Sequence, residues 1–210
     1  VKLCVHAGAD VIVVDGMQGG TAATQLVFIE HVGIPTLAAV RQAVEALEEL
    51  NVKDKVQLIV SGGIRTGADV AKALALGADA VAIGQGILMA LGCNSESYVQ
   101  GGKHYSAEAD YRRLKTAPGF CHHCHTGFCP VGVTTQDPVL ERRLEPEVGA
   151  KRVRNYLKTL NLELTTLARA CGKQNVHHLE REDLVALTVE AAAMAKLPLA
   201  GTRWIPGHSG

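Results

Sequence analysis

Four cysteines stand where a metal cluster could use them: Cys93, and then Cys121, Cys124 and Cys129 in the run Cys121-His122-His123-Cys124-His125-Thr126-Gly127-Phe128-Cys129, with Pro130 directly after. Thiolates separated by two and then four residues on one tight loop can face a common centre. A proline after the last of them stops a helix or a strand ladder from carrying the chain away. The spacing points first to iron-sulfur ligation. A zinc knot or a disulfide pair would use the same residues, and His122, His123 and His125 keep zinc open.

A second group suits an anion. Ser61-Gly62-Gly63-Ile64-Arg65-Thr66-Gly67 turns into a helix at Thr66, with Asp69 three residues on completing a capping box, and Gly84-Gln85 follow a short apolar run. Bare glycines let backbone N-H groups approach phosphate oxygens, and the helix dipole favours the negative charge. Arg65 could pair with a phosphate in bidentate fashion or form a surface ion pair, while Lys72 reads as solvated. Upstream, Asp15 could position a substrate or cap its own loop. Gln18, Gly19, Gly20 and Thr21 offer amide and backbone donors suited to a carboxylate, and Gln85 lies just past the second glycine element.

The elements that must hold these groups are legible from spacing. Residues 10–15 form a β-branched run between glycines, expected as a parallel strand buried on both faces. Pro35 fits a first helical turn, with Leu37, Val40, Val44 and Leu47 at helical spacing to about Leu50. Residues 56–61 make the next strand, a helix runs from Thr66 to Gly77, and residues 79–84 and 85–92 give a third strand and a short helix. Alternation of this kind means a parallel sheet. The candidate residues gather at the C-terminal strand ends, where a barrel collects its site, and the two glycine elements match a barrel phosphate site. Later, Val153, Tyr156, Leu157, Leu160, Leu164 and Leu167 predict one helix ending before Gly172. Leu184, Leu187, Ala191 and Met194 predict another, opened by Glu182-Asp183. Cys4 and Cys171 read as buried thiols, His177-His178 as a solvated loop, and the tail with Trp204 as a docking segment or a loose end.

Composition sets the outer limits. The 210 residues are 47% hydrophobic with zero formal net charge, enough for one sizeable core and an appendage. Balanced charge and 4% aromatics argue against a nucleic-acid surface. Nothing reads as a membrane span or a secretory signal, so the expected location is cytoplasmic. Six cysteines then read as ligands or free thiols rather than a disulfide framework. The opening at Val1, reading as the tail of a helix that feeds a strand, leads us to expect a C-terminal piece of a longer protein.

The phosphate elements resemble those of many FMN-dependent barrels, inosine-monophosphate dehydrogenase and type 2 isopentenyl-diphosphate isomerase among them. Asp15-Gly-Met-Gln-Gly-Gly-Thr-Ala-Ala23, Ala90-Leu-Gly-Cys93 and Cys124-His-Thr-Gly-Phe-Cys-Pro-Val-Gly-Val-Thr-Thr-Gln-Asp137 narrow this. Together they resemble the FMN-binding synthase domain of glutamate synthase, from residue 1 to about 170. The resemblance implies the C-terminal part of a (β/α)8 TIM barrel, an α/β fold, over residues 1–92. An iron-sulfur loop would follow at 93–137 and a helical extension at 138–210. It implies FMN held by Asp15, Gly19, Gly20, Thr21, Ser61, Gly62, Gly63, Ile64, Arg65, Gly84 and Gln85, and a 3Fe-4S cluster on Cys93, Cys124 and Cys129. The chain departs from the pattern by an insertion between Cys93 and Cys124, carrying Gly101-Gly102, Tyr105 and Tyr111. That insertion ends at the extra Cys121, which could complete a 4Fe-4S cluster or replace Cys93. Neither the amidotransferase domain nor the glycine-repeat solenoid of the large family members is read in it.

The implied reaction is reductive amination: hydride delivery to 2-iminoglutarate, formed from 2-oxoglutarate and ammonia, giving L-glutamate, with the cluster feeding electrons to the flavin. This would make the protein an oxidoreductase of the class acting on CH-NH2 donors. Its implied partners are the remaining barrel segment and an amidotransferase or electron-donor subunit. Two neighbouring readings are a glutamate-synthase-like transferase, such as the N-methylglutamate synthase type, and a non-catalytic electron-transfer subunit. A zinc-bound structural module is the third.

Overall fold

The computed structural model describes residues 1–19 and 26–207. In chain order its elements are α1 (Lys2–His6), β1 (Val11–Asp15), α2 (Leu26–His31), α3 (Thr36–Glu49), β2 (Gln57–Ser61), α4 (Gly67–Ala75), β3 (Ala80–Ala82), α5 (Gln85–Leu91), β4 (Ser97–Gln100), β5 (Lys103–Ser106), α6 (Glu108–Arg113), α7 (Pro146–Ala170) and α8 (Val189–Ala195). They fall into two compact units. The first comprises Val1–Gly19, Glu30–Ile83 and the chain from Leu160 onward, and the second is Gly84–Thr159 with the stretch ending at Ile29.

The first unit is α/β. Its three strands are parallel in the order β1-β2-β3, in a register that aligns Asp15 with Ser61 and Ser61 with Ala82 at their C-terminal ends. Alternate residues face α3: Ile12, Leu58 and Val60 pack with Val40, Val44 and Leu47, joined from the far end of the chain by Ala192, Ala195 and Leu197. The period of two puts Val11, Val13 and Ile59 on the other face, and Val13 is 58% exposed. This corrects the expectation of a strand buried on both faces. Helix α4 packs its Val70, Ala71 and Leu74 against Leu164 and Ala168 of α7. Gly67 permits that approach, since a Cβ there would stand 2.3 Å from the Leu160 carbonyl oxygen.

The last helix is shorter than its apolar spacing predicts. Residues Arg181–Asp183 form an isolated helical turn, and Ala186 then makes a parallel bridge to Leu199. Helix α8 begins only after Thr188, whose Oγ1 accepts from the Ala191 N-H at 3.2 Å. Extended pairing therefore outcompetes helix across residues 184–187, and Leu187 is left exposed. Cys4 and Cys171 are also exposed rather than buried, because each lies on the outward side of its helix end.

The second unit is built around an antiparallel hairpin. β4 pairs with β5 so that Gln100 faces Lys103, leaving Gly101-Gly102 as a two-residue turn with φ of 57° and 73°, the positive values that a type I′ hairpin needs. Tyr98 and Tyr105 stack across the strands at 5.6 Å, and Arg143 lies over the Tyr98 ring at 4.6 Å.

One buried charge gives the first unit a pH dependence. Arg41 is 4% exposed, and its Nη2 donates to Glu45 Oε1 at 3.3 Å, which also accepts from Lys196 Nζ at 2.6 Å. The Lys196 hydrogen bond, with Arg41 behind it, holds the Glu45 carboxyl below its ordinary 4.5. A depressed carboxyl stabilises the fold above its unfolded pKa and loses that contribution as pH falls through the folded one. We expect Glu45→Gln to cost about 1–2 kcal/mol at neutral pH, between an exposed and a fully buried pair because Arg41 is buried while Glu45 keeps contact with water. The variant should also show a shallower fall in unfolding midpoint on acidification to about pH 4 than the wild type.

Candidate functional site

Two candidate sites have describable geometry, one in each unit. In the first, Asp15 and Ser61 end adjacent strands and their loops meet at Thr36. Gln18 Oε1 accepts from the Thr36 N-H at 2.8 Å, and the single Thr36 hydroxyl proton is shared between Gln18 Oε1 at 2.8 Å and the Gly62 carbonyl at 3.0 Å. Gln18 thus caps α3, a scaffold role that spacing alone did not suggest. Gly62 is fixed by the same crowding: its φ is 104°, and a Cβ would stand 2.7 Å from Thr36 Oγ1. Asp15 is exposed and lies directly against Gly19. Gly20 and Thr21 lie outside the described residues.

The expected capping box is present at α4, with Thr66 and Asp69 exchanging side-chain and backbone bonds. It changes what the helix terminus can offer. Asp69 Oδ2 accepts from the Arg65 and Thr66 N-H groups at 3.1 and 3.0 Å, and Glu163 Oε2 of α7 accepts from Gly67 N-H at 2.7 Å. Carboxylates of the protein itself thus occupy the first amides of α4. Any phosphate donors on this loop lie earlier, in Gly62, Gly63 and Ile64. Glu163 was invisible to motif reading, being 96 residues away. In the second unit, Gly84 caps α5 with φ of −93° and no atom within 4 Å of a built Cβ, so nothing in the fold itself requires glycine there. Gln85 begins that helix and is exposed.

The second site is the cysteine pocket. Cys93 follows the left-handed cap Gly92 of α5, and Cys124 opens a short 3-10 turn ended by Gly127 at φ 78°. Cys129 is 8% exposed and packs with Ala107, Tyr111 and Val131, with Cys121 at the border of the same cluster. Asn94 joins the two segments. Its Oδ1 accepts from the Cys121 N-H at 2.7 Å, while its Nδ2 lies 3.3 Å from the Cys121 carbonyl and 3.6 Å from Cys93 Sγ. The side-chain amide completes the Cys121 backbone as a neighbouring strand would. The geometry needs φ of 61° at Asn94, a region that asparagine tolerates better than most residues.

Burial, and then the proximity of Cys124, Cys129 and Cys121, pushes the Cys93 thiol up to about 11, with the Asn94 hydrogen bond opposing. Burial first, then Cys129 and Cys124, raises Cys121 as well, against a backbone hydrogen bond at His123. The sulfurs therefore lie within electrostatic reach of one another, and each raised thiol favours its neutral form. Among the described residues, no three His, Cys, Asp or Glu side chains are grouped to hold a metal ion. Cys129 is the buried member of the four, while Cys93, Cys121 and Cys124 are half-buried. His122, His123 and His125 stack in a row, with ring centroids 5.0 and 6.2 Å apart.

The model of the conserved region in glutamate synthase matches residues 1–100 and 117–174. The chain belongs to the glutamate synthase family. A glutamate synthase large subunit-like protein of Rhizobium meliloti is 60% identical over 205 residues, 98% of this chain and 44% of that protein. An archaeal glutamate synthase [NADPH] of Methanocaldococcus jannaschii is 40% identical, over 81% of this chain and 29% of its own length. The corresponding protein of Archaeoglobus fulgidus is 36% identical over 94% of this chain and 34% of its own. The chain thus spans less than half the length of these relatives. Among solved structures, a flavocytochrome b2 mutant with benzoylformate is similar at a TM-score of 0.42 and 18% identity, over 85% of this chain and 36% of that one. Among the described residues, no helix is long and apolar enough to cross a membrane.

Asn94 offers a direct test of the pocket. Asn94→Gly keeps the left-handed backbone and removes the clasp, so the fold should survive while the two cysteine segments lose their tie. Iron retained per chain after dialysis against a chelator should correspond to an affinity about 10- to 100-fold lower than wild type. Unchanged iron retention would leave Asn94 a bystander.

Proposed function

We propose that this chain is the flavin- and cluster-bearing part of a glutamate-synthase-like oxidoreductase that forms L-glutamate by reductive amination of 2-oxoglutarate. The observation that carries the reading is that Cys121, Cys124 and Cys129 lie within electrostatic reach of Cys93, with Cys129 and Cys121 against one apolar wall, in a chain of this family. Bound FMN would supply hydride chemistry, and an iron-sulfur cluster would supply it with single electrons. The protein's own residues bind and orient. Gly62, Gly63 and Ile64 offer backbone donors to the flavin phosphate, and Gly84 and Gln85 keep the role that the resemblance gives them. Asp15 and Ser61 stand at the strand ends, where substrate-facing groups collect. The exposed Val11 and Val13 face of the sheet favours completion by further strands of the same barrel.

Two sets of variants test this on the full-length protein. Cys124→Ser and Cys129→Ser should each abolish cluster absorbance, because a cluster iron that loses its thiolate loses its anchor. Cys121→Ser and Cys93→Ser then decide the ligand set: loss of the cluster in both makes four ligands, and loss in one alone makes three. For the flavin, Gly84→Ala should leave the unfolding midpoint unchanged and weaken FMN binding about tenfold, roughly 1.4 kcal/mol. Gly62→Ala, by contrast, should lower the midpoint itself, because its Cβ would collide with Thr36. Full flavin content in Gly84→Ala would remove that residue from the phosphate site.

A further inference from the structure

The family match is interrupted at residues 101–116, and that interruption is where the second unit makes its most buried contacts. Within it, Ala107 is 0% and Tyr111 1% exposed, and both pack on Cys129, Val131 and the flank of Cys121. The segment is pinned to each cysteine-bearing stretch. The Tyr111 hydroxyl donates to the Ser95 carbonyl at 3.0 Å, two residues after Cys93, and the Ala107 N-H donates to the Glu96 carbonyl at 2.8 Å. Asp110 Oδ2 pairs with Arg143 Nη1, which also donates to the carbonyl of Pro130 at 2.7 Å, directly after Cys129. A surface insertion normally carries its side chains outward and tolerates change. This one sends its only fully buried aromatic ring into the wall of the thiol pocket and satisfies that ring's hydroxyl on the way.

We propose that residues 101–116 are a shield added to the family's cluster site, in which Tyr111 and Ala107 cover Cys129 and the flank of Cys121 from water while the Asp110, Arg143 and Pro130 contacts hold the shield shut. The proposal rests on the cluster reading above. Its consequence is chemical. A cluster held by thiolates carries net negative charge, and reduction adds more. A water-poor, low-dielectric wall therefore disfavours the reduced form and lowers the reduction potential, while slowing chelator and oxygen access to iron. Tyr111 is a positioning and shielding residue here rather than a catalytic one.

The test uses the full-length protein purified anaerobically, comparing wild type, Tyr111→Leu, Tyr111→Ala and Tyr111→Phe. Two quantities are read: the rate at which cluster absorbance is lost to an iron chelator, and the midpoint potential followed by the same absorbance. Tyr111→Phe keeps the ring and should stay within about twofold of wild type in chelation rate. Tyr111→Ala should lose iron about 10- to 100-fold faster, with its potential shifted upward. Tyr111→Leu keeps apolar volume and protects the fold, and should fall between them with the same upward shift, which looser packing away from the cluster would not produce. An iron-loaded wild type whose Leu and Ala variants keep both the chelation rate and the potential of wild type would overturn the shield alone. A wild type free of iron and sulfide would overturn the cluster reading and the shield with it.

Discussion

Thiols brought together out of water repel one another once they ionise, and the second unit is organised around that cost. Cys121, Cys124 and Cys129 lie within electrostatic reach of Cys93, and Cys129 and the flank of Cys121 pack on Tyr111, Ala107 and Val131. Burial and the neighbouring cysteines raise the Cys93 thiol, so it favours its neutral form unless a positively charged partner binds the sulfurs. The Asn94 clasp, the Arg143 tether and the Gly127 turn are the means by which the chain holds the arrangement in place. A neutral core of the same size would need none of them.

The first unit obeys a different constraint, the close approach of loops at the C-terminal strand ends. Gly62 lies so near Thr36 that a side chain is excluded, and Gln18 ties the same threonine to the loop after β1. Asp69 and Glu163 neutralise the start of α4 with the protein's own carboxylates. An anion arriving at this edge therefore meets the glycine loop before the helix. The result is a hydrogen-bonded rim beside Asp15 and Ser61, with Val11 and Val13 exposed on the opposite sheet face.

Strands and the first helices were legible because their signals are local: β-branched runs between glycines, Pro35 before a helix, and a Thr66-Asp69 capping box. The cysteine spacing was legible for the same reason. Exposure of one sheet face was not, since Val11 to Val14 look the same whether one face or both are covered. The late start of α8 depended on the pairing of Ala186 with Leu199, a contact that helical periodicity cannot express. Asn94, Glu163 and Arg143 act across 27, 96 and 33 residues respectively, so motif reading passed over them. A positive-φ asparagine directly after Gly92-Cys93 was the one available hint.

The central claim is that the four-cysteine pocket holds an iron-sulfur cluster. Metal and acid-labile sulfide analysis of the full-length protein, purified without oxygen and read beside its visible spectrum, tests it most directly. The account predicts several irons per chain with a matching amount of sulfide, and a broad visible absorbance that bleaches on reduction. A colourless protein carrying a single zinc and no sulfide would contradict it.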